Sequence, residues 1–142
     1  MKIAILGAGR FGTALGELLA ERGYDLDYYD PKKEKESLKN VVTGAGMILV
    51  TMPSETVPHI LVYLPKDLPL IIASKGFLTE RIFDEFSKVM VLSGSGFAEE
   101  IKERKSAGWT VTDREIEGLF GAEWIDFDFT DDARGVLLCG AL

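Results

Sequence analysis

Apolar residues run from Ile3 to Leu6 and stop at Gly7-Ala8-Gly9-Arg10. A short apolar run closed by glycines predicts a buried strand, Lys2 to Leu6. Beyond Arg10 the period changes. Phe11, Ala14, Leu15, Leu18 and Leu19 fall on one face of a helix, with Gly23 as its stop. Asp25 to Asp30 predicts a second strand, followed by Pro31. The charged stretch Lys32 to Lys39 predicts a short helix, and Met47 to Met52 a third strand. Pro53-Ser54 opens a helix whose apolar face is Val57, Ile60, Leu61 and Leu64; Pro58 fits there only near the first turn. Leu70 to Ala73 is the next strand. Thr79 caps a helix carrying Ile82, Phe83 and Phe86, and Val89 to Leu92 is a strand again. Phe97 to Lys105 reads as helix, Gly108 to Thr112 as strand and Arg114 to Phe120 as a short helix. In Trp124 to Phe129, Ile125, Phe127 and Phe129 alternate with Asp126 and Asp128, as in a half-exposed edge strand. Asp132 to Leu142 reads as the opening of a further helix.

Buried strands alternating with amphipathic helices predict an α/β fold, a mostly parallel sheet with helices on both faces. The right-handed crossover rule makes it doubly wound, of the Rossmann type. The chain has 142 residues, the size of one domain, so residues 1–142 are expected to form a single unit. No internal repeat or interdomain linker interrupts it.

Composition narrows the chemistry. The formal net charge is −7, which disfavours non-specific binding to nucleic acid or anionic membranes. Cys139 is the only cysteine and His59 the only histidine, so an internal disulfide and a zinc site built on His pairs are excluded. His59 reads as a surface or packing residue. Asp126, Asp128, Asp131 and Asp132 lack the EF-hand pattern and read as a solvated edge. Trp109, Trp124, Phe120, Phe127 and Phe129 read as core, some of them forming a patch for another domain or subunit. No apolar run is long enough to span a membrane, and the N-terminal run ends too early for a secretory leader; the expected location is cytoplasmic.

The most informative segment is Gly7-Ala8-Gly9-Arg10-Phe11-Gly12, a G-x-G-x-x-G sequence between a strand and a helix. Gly7 permits a tight turn. Gly9 lets a pyrophosphate approach the backbone, and Gly12 lets the helix pack on the strand. The free N–H groups and positive end of the helix then face the anion. The alternative is a glycine turn kept for packing. Asp30, at the end of the second strand, stands where an acidic side chain accepts from the adenosine ribose and repels a 2′-phosphate, which favours NAD over NADP. Lys32 and Lys33 point the other way, since either can pair with a 2′-phosphate. Asp30 also reads as a turn residue before Pro31.

Five segments then show a resemblance. They are Gly7 to Ala14, Ile48-Leu49-Val50-Thr51-Met52-Pro53-Ser54, Ala73-Ser74-Lys75-Gly76, Leu92 to Glu100, and Gly140-Ala141-Leu142. In this order they resemble segments of NAD-dependent glycerol-3-phosphate dehydrogenases. The resemblance implies a cofactor domain for hydride transfer between NADH and dihydroxyacetone phosphate. It implies cofactor contacts at Gly7, Gly9, Arg10, Phe11, Gly12, Asp30, Pro53 and Ser54, and a substrate contact at Lys75, where a cation can hold a phosphate or polarise a carbonyl. Ser93-Gly94 would lie beside the nicotinamide. Without the resemblance Ser54 is a helix cap and Lys75 a loop lysine.

The chain also departs from that pattern. The family motif continues from Gly-Ala-Leu into a lysine that acts as catalytic acid or carbonyl polariser, and then into a helical substrate domain; neither is present by Leu142. Ser95-Gly96 stands where the family has Pro-Ser, Phe11 where Trp is usual, and the stretch from Asp30 to Met47 is short. The expectation is an NAD(H)-binding chain with little or no turnover alone, completed by a C-terminal domain or forming a homodimer. Two other readings stay open: a non-catalytic nucleotide-sensing or interaction module, and a reductase for another small carbonyl substrate.

Overall fold

A computed structural model describes residues 1–30, 32, 35–53, 55–73, 81–94, 101, 103, 107–121 and 123–133. The described residues form β1 (Lys2–Leu6), α1 (Arg10–Glu21), β2 (Asp25–Tyr29), α2 (Lys35–Val42), β3 (Met47–Val50), α3 (Val57–Leu61), β4 (Leu70–Ile72), α4 (Arg81–Glu85), β5 (Val89–Gly94), β6 (Ala107–Val111), α5 (Arg114–Phe120) and β7 (Ile125–Phe129). One sheet holds all seven strands in the order β2-β1-β3-β4-β5-β6-β7. Every pairing is parallel except β5 with β6, which is antiparallel. The expected doubly wound, mostly parallel fold is therefore present.

Two cores follow from the two-residue period of the strands. Ile3 and Ile5 of β1 join Met47, Leu49, Ile71 and Met90 under α1 and α5. Ala4 and Leu6, one position out of phase, join Ile48, Val50, Leu70 and Ile72 under α2, α3 and α4. Burying each large aliphatic side chain contributes about 1.5–3 kcal/mol, so strands filled on both faces are strongly anchored. β6 and β7 feed only the first core, through Trp109, Val111 and Ile125.

The first helix forms as its apolar spacing predicts, whereas most of the helix expected over 97–105 lies outside the described residues. α1 buries Ala14, Leu15, Leu18 and Leu19 and ends before Gly23, at φ +89°. The helix expected to open at Pro53-Ser54 instead begins at Val57; Val57, Ile60, Leu61 and Leu64 are buried as expected, and Pro58 sits in the first turn, where its missing N–H costs nothing. The helix expected over 32–39 instead spans Lys35–Val42. Leu38, Val41 and Val42 are the residues it buries, so the apolar stripe and not the charge run sets its position. α5 has the expected bounds and is capped by the Asp113 carboxylate, which accepts from the Glu115 N–H at 2.8 Å.

Around Trp109 the Phe120, Trp124 and Phe127 rings pack edge-on, with centroids 5.6, 6.4 and 5.7 Å away. Phe129 departs from expectation. It is 45% exposed on the edge strand, with the Arg114 guanidinium 4.7 Å from its ring centroid. Arg22 joins α1 to α5 by donating to the Gly118 and Gly121 carbonyls, each at 2.9 Å. The predicted Thr79 cap and the helix over 132–142 lie outside the described residues, except for 132 and 133.

Candidate functional site

The sheet order reverses beside β1. The chain leaves β1 for β2 on one side and returns to β3 on the other. At such a switch point the loops leaving the carboxyl ends of neighbouring strands diverge and leave a crevice. Here that crevice is a cavity of about 450 Å³. Gly7 to Gly12 line it from the end of β1, Asp30 and Lys32 from the end of β2, and Thr51, Met52 and Pro53 from the end of β3. Three loops distant in sequence thus meet at one place.

The three motif glycines sit in different surroundings. Gly7 has φ +127°, a conformation that side-chain-bearing residues rarely adopt. A Cβ on Gly12 would overlap the Gly7 carbonyl oxygen and come within 2.7 Å of Thr51 Oγ1. Gly12 is what brings the first turn of α1 down onto the end of β1. Gly9 is the reverse case, since a Cβ there would meet nothing within 4 Å among the described residues. Its bareness serves no packing among the described residues.

Gly9 is also the N-cap of α1 and lends the helix no side-chain hydrogen bond. The first turn contains no acidic residue and begins with Arg10. Helix N-termini normally attract carboxylates, each worth about 0.3–1 kcal/mol. A cation at that point adds to the positive potential of the unsatisfied N–H groups. The mouth of the cavity is therefore suited to an anion on grounds of backbone and charge alike.

Asp30 follows β2 directly. One of its carboxylate oxygens accepts from the Lys32 N–H at 2.9 Å, a local turn that holds both residues on the cavity wall. The turn reading and the cavity reading of Asp30 are thus both visible in one geometry. Thr51 was not singled out from the sequence. Its N–H donates to the Leu6 carbonyl at 2.9 Å, and its hydroxyl lies 3.2 Å from Leu6 O and 3.3 Å from Gly7 O. The available signal was a hydroxyl residue directly after the apolar run Met47 to Val50.

Of the sequence-predicted site residues, the structure brings together Gly7, Gly9, Arg10, Phe11, Gly12, Asp30 and Pro53. Phe11 is half-buried and packs against the core beneath α1. Ser54 and Lys75 lie outside the described residues. Ser93 and Gly94 end β5, paired with Thr110 and Trp109, and are not among the residues lining this cavity. Among the described residues, no His, Cys, Asp and Glu side chains cluster as a metal site. No helix among them is long and apolar enough to cross a membrane. His59 is exposed, as expected.

A seven-stranded, mostly parallel sheet with this crevice is a Rossmann-type fold. No family model matches the chain. By sequence the chain is similar to the N-terminal half of glycerol-3-phosphate dehydrogenases [NAD(P)+]. It is 29% identical over 190 residues to glycerol-3-phosphate dehydrogenase [NAD(P)+] of Leptospira biflexa, covering 100% of this chain and 57% of that protein. It is 29% identical to the enzyme of that name from Clostridium tetani, covering 99% of this chain and 53% of the relative. The chain thus spans little more than half the length of the curated relatives it matches. Among solved structures, glycerol-3-phosphate dehydrogenase of Coxiella burnetii superposes with a TM-score of 0.77 at 22% identity, over 98% of this chain and 56% of that one. The Saccharomyces cerevisiae enzyme gives 0.82 at 18% identity, over 99% and 59%. These two likenesses show the fold.

Proposed function

We propose that this chain is the NAD(H)-binding unit of a glycerol-3-phosphate dehydrogenase-like oxidoreductase. The observation that carries the reading is the convergence of the glycine turn, Asp30 and Pro53 on one cavity at the sheet's switch point. In this reading the backbone at Gly7 to Gly12 and the Arg10 guanidinium hold the pyrophosphate. Gly9 gives it room, and the Asp30 carboxylate accepts from the adenosine ribose hydroxyls. Phe11 and Pro53 supply apolar contact, and Ser54 is a further cofactor contact by the resemblance. Lys75 contacts a phosphorylated carbonyl substrate, dihydroxyacetone phosphate by the resemblance.

The cofactor, when bound, supplies the hydride. Transfer further requires the carbonyl to be held and polarised beside the nicotinamide. The resemblance assigns part of that task to a lysine and a helical domain beyond the segment that this chain matches. Residues 1–142 then act as one cofactor domain, located in the cytoplasm, that turns over little or nothing alone. A C-terminal domain or a second copy completes the site.

A second reading of the cofactor rests on Lys32, which lines the same cavity as Asp30 and can pair with a 2′-phosphate. The two are separated by calorimetric titration of the purified chain with NADH and NADPH. Binding of NADH about tenfold or more tighter than NADPH is expected, since repulsion between Asp30 and a 2′-phosphate is worth roughly a kilocalorie or more. Equal binding, or tighter NADPH, gives Lys32 the larger role. Binding of neither overturns the proposed function.

A further inference from the structure

We propose that Thr51 is a positioning residue whose hydroxyl sets the shape of the glycine turn; the proposal rests on the dinucleotide reading of the cavity. The Gly7 carbonyl is the critical group. A carbonyl oxygen at the cavity mouth would face an incoming anion with a partial negative charge. In this fold the positive φ of Gly7 turns its carbonyl toward Gly12, close enough that a Cβ on Gly12 would overlap it. The Thr51 hydroxyl lies 3.3 Å from that oxygen and 3.2 Å from the Leu6 carbonyl. It carries one proton, shared between the last carbonyl of β1 and the first of the turn.

Thr51 also fills the space that makes the glycines necessary. Its Oγ1 would overlap a Cβ on Gly7 and come within 2.7 Å of a Cβ on Gly12. Thr51, Gly7 and Gly12 therefore form one interlocked set, assembled from the ends of two adjacent strands. Its main-chain N–H, bonded to Leu6 O at 2.9 Å, fixes where the hydroxyl starts from. Without the hydroxyl, the Gly7 carbonyl has lost the donor that holds it inward, and the turn can relax toward the mouth. The effect falls on ligands carrying a pyrophosphate.

The test compares Thr51→Val, Thr51→Ala and Thr51→Ser with the wild-type chain, at a temperature where circular dichroism shows each to be folded. NADH and ADP-ribose are titrated by calorimetry. Thr51→Val and Thr51→Ala should each bind both ligands about five- to tenfold more weakly, the consequence of losing one partly buried hydrogen bond. Thr51→Ser, which keeps the hydroxyl, should stay within about twofold of wild type. Thr51→Ala provides the answer should Thr51→Val not fold. Wild-type affinity in the hydroxyl-free variants overturns the positioning role, and so does a Thr51→Ser variant as weak as Thr51→Ala. If wild type itself binds neither ligand, the dinucleotide reading has failed and the positioning role falls with it.

Discussion

Along β1, alternate residues enter different cores: Ile3 and Ile5 one, Ala4 and Leu6 the other. Along β7 only one side is filled, with Asp126 and Asp128 exposed and alternating with Ile125 and Phe127. The two ends of the sheet solve different problems. The β1–β3 end packs aliphatic side chains on both faces and ends in small residues and bare backbone, where the cavity opens. The β6–β7 end concentrates aromatic surface around Trp109 and is tied to α1 through Arg22. The difference teaches that stability and ligand access are drawn from separate residues here, so substitutions should separate them.

The largest effect on stability belongs to the aromatic end. Trp109→Ala removes a buried ring with three edge-on partners and should cost about 3–5 kcal/mol in urea unfolding. Under folding conditions its affinity for NADH should stay within about twofold of wild type, because Trp109 lines no part of the cavity. A large loss of affinity in a fully folded variant would show that the two ends are coupled.

The glycines sharpen the comparison inside the cavity. Gly12→Ala forces a methyl against the Gly7 backbone, which cannot rotate away, and should cost about 1–3 kcal/mol or more. Gly9→Ala meets nothing among the described residues and should leave stability within about 0.5 kcal/mol of wild type. It should nonetheless weaken NADH binding about tenfold or more, because the methyl occupies the phosphates' approach. A Gly9→Ala variant with unchanged affinity would leave that open space without a purpose.

The smallest effect is a pH dependence. Burial, helped by the nearby Glu17 carboxylate, raises the Tyr28 phenol above its ordinary 10.0. A hydrogen bond from Lys88 to Glu115 at 2.6 Å, with the further pull of Asp113, raises the Lys88 ammonium above its ordinary 10.5. Both groups hold their protons more tightly when folded. Their contribution is fully present below the unfolded values and is lost as pH rises through the raised ones. Stability should therefore fall only above about pH 10, and Tyr28→Phe, having no proton to lose, should make the alkaline fall shallower. An unchanged alkaline profile in Tyr28→Phe would assign the whole fall to other groups.

Much of this was legible in the residues. β1 and α1 were readable because the period changes sharply at the glycines, and α5 because Asp113 caps it and Ile116, Leu119 and Phe120 make its buried face. Of the seven expected positions that meet at the cavity, Gly7, Gly9, Gly12 and Asp30 follow from the local spacing of the glycine motif, and Arg10, Phe11 and Pro53 from the resemblance. What was not legible is non-local. Thr51 acts on carbonyls 44 and 45 residues upstream, and in the sequence it reads only as the end of a strand. The reversal of β6 against β5 is likewise a matter of chain path, which apolar periodicity does not encode. Phe129 shares the face of Ile125 and Phe127 yet stays exposed, because it is the last residue of the edge strand, beyond the reach of the Trp109 cluster.

The most direct measurement is a map of amide chemical shifts in the isotopically labelled chain during titration with NADH. The expected result is a saturable change at Gly7, Ala8, Gly9, Phe11, Gly12, Asp30, Lys32 and Thr51, with the Trp109 indole and the amides of Ile125 to Phe129 unmoved. Changes centred on the aromatic end, or none at the glycine turn, would contradict the placement of the cofactor at the β1–β3 end of the sheet.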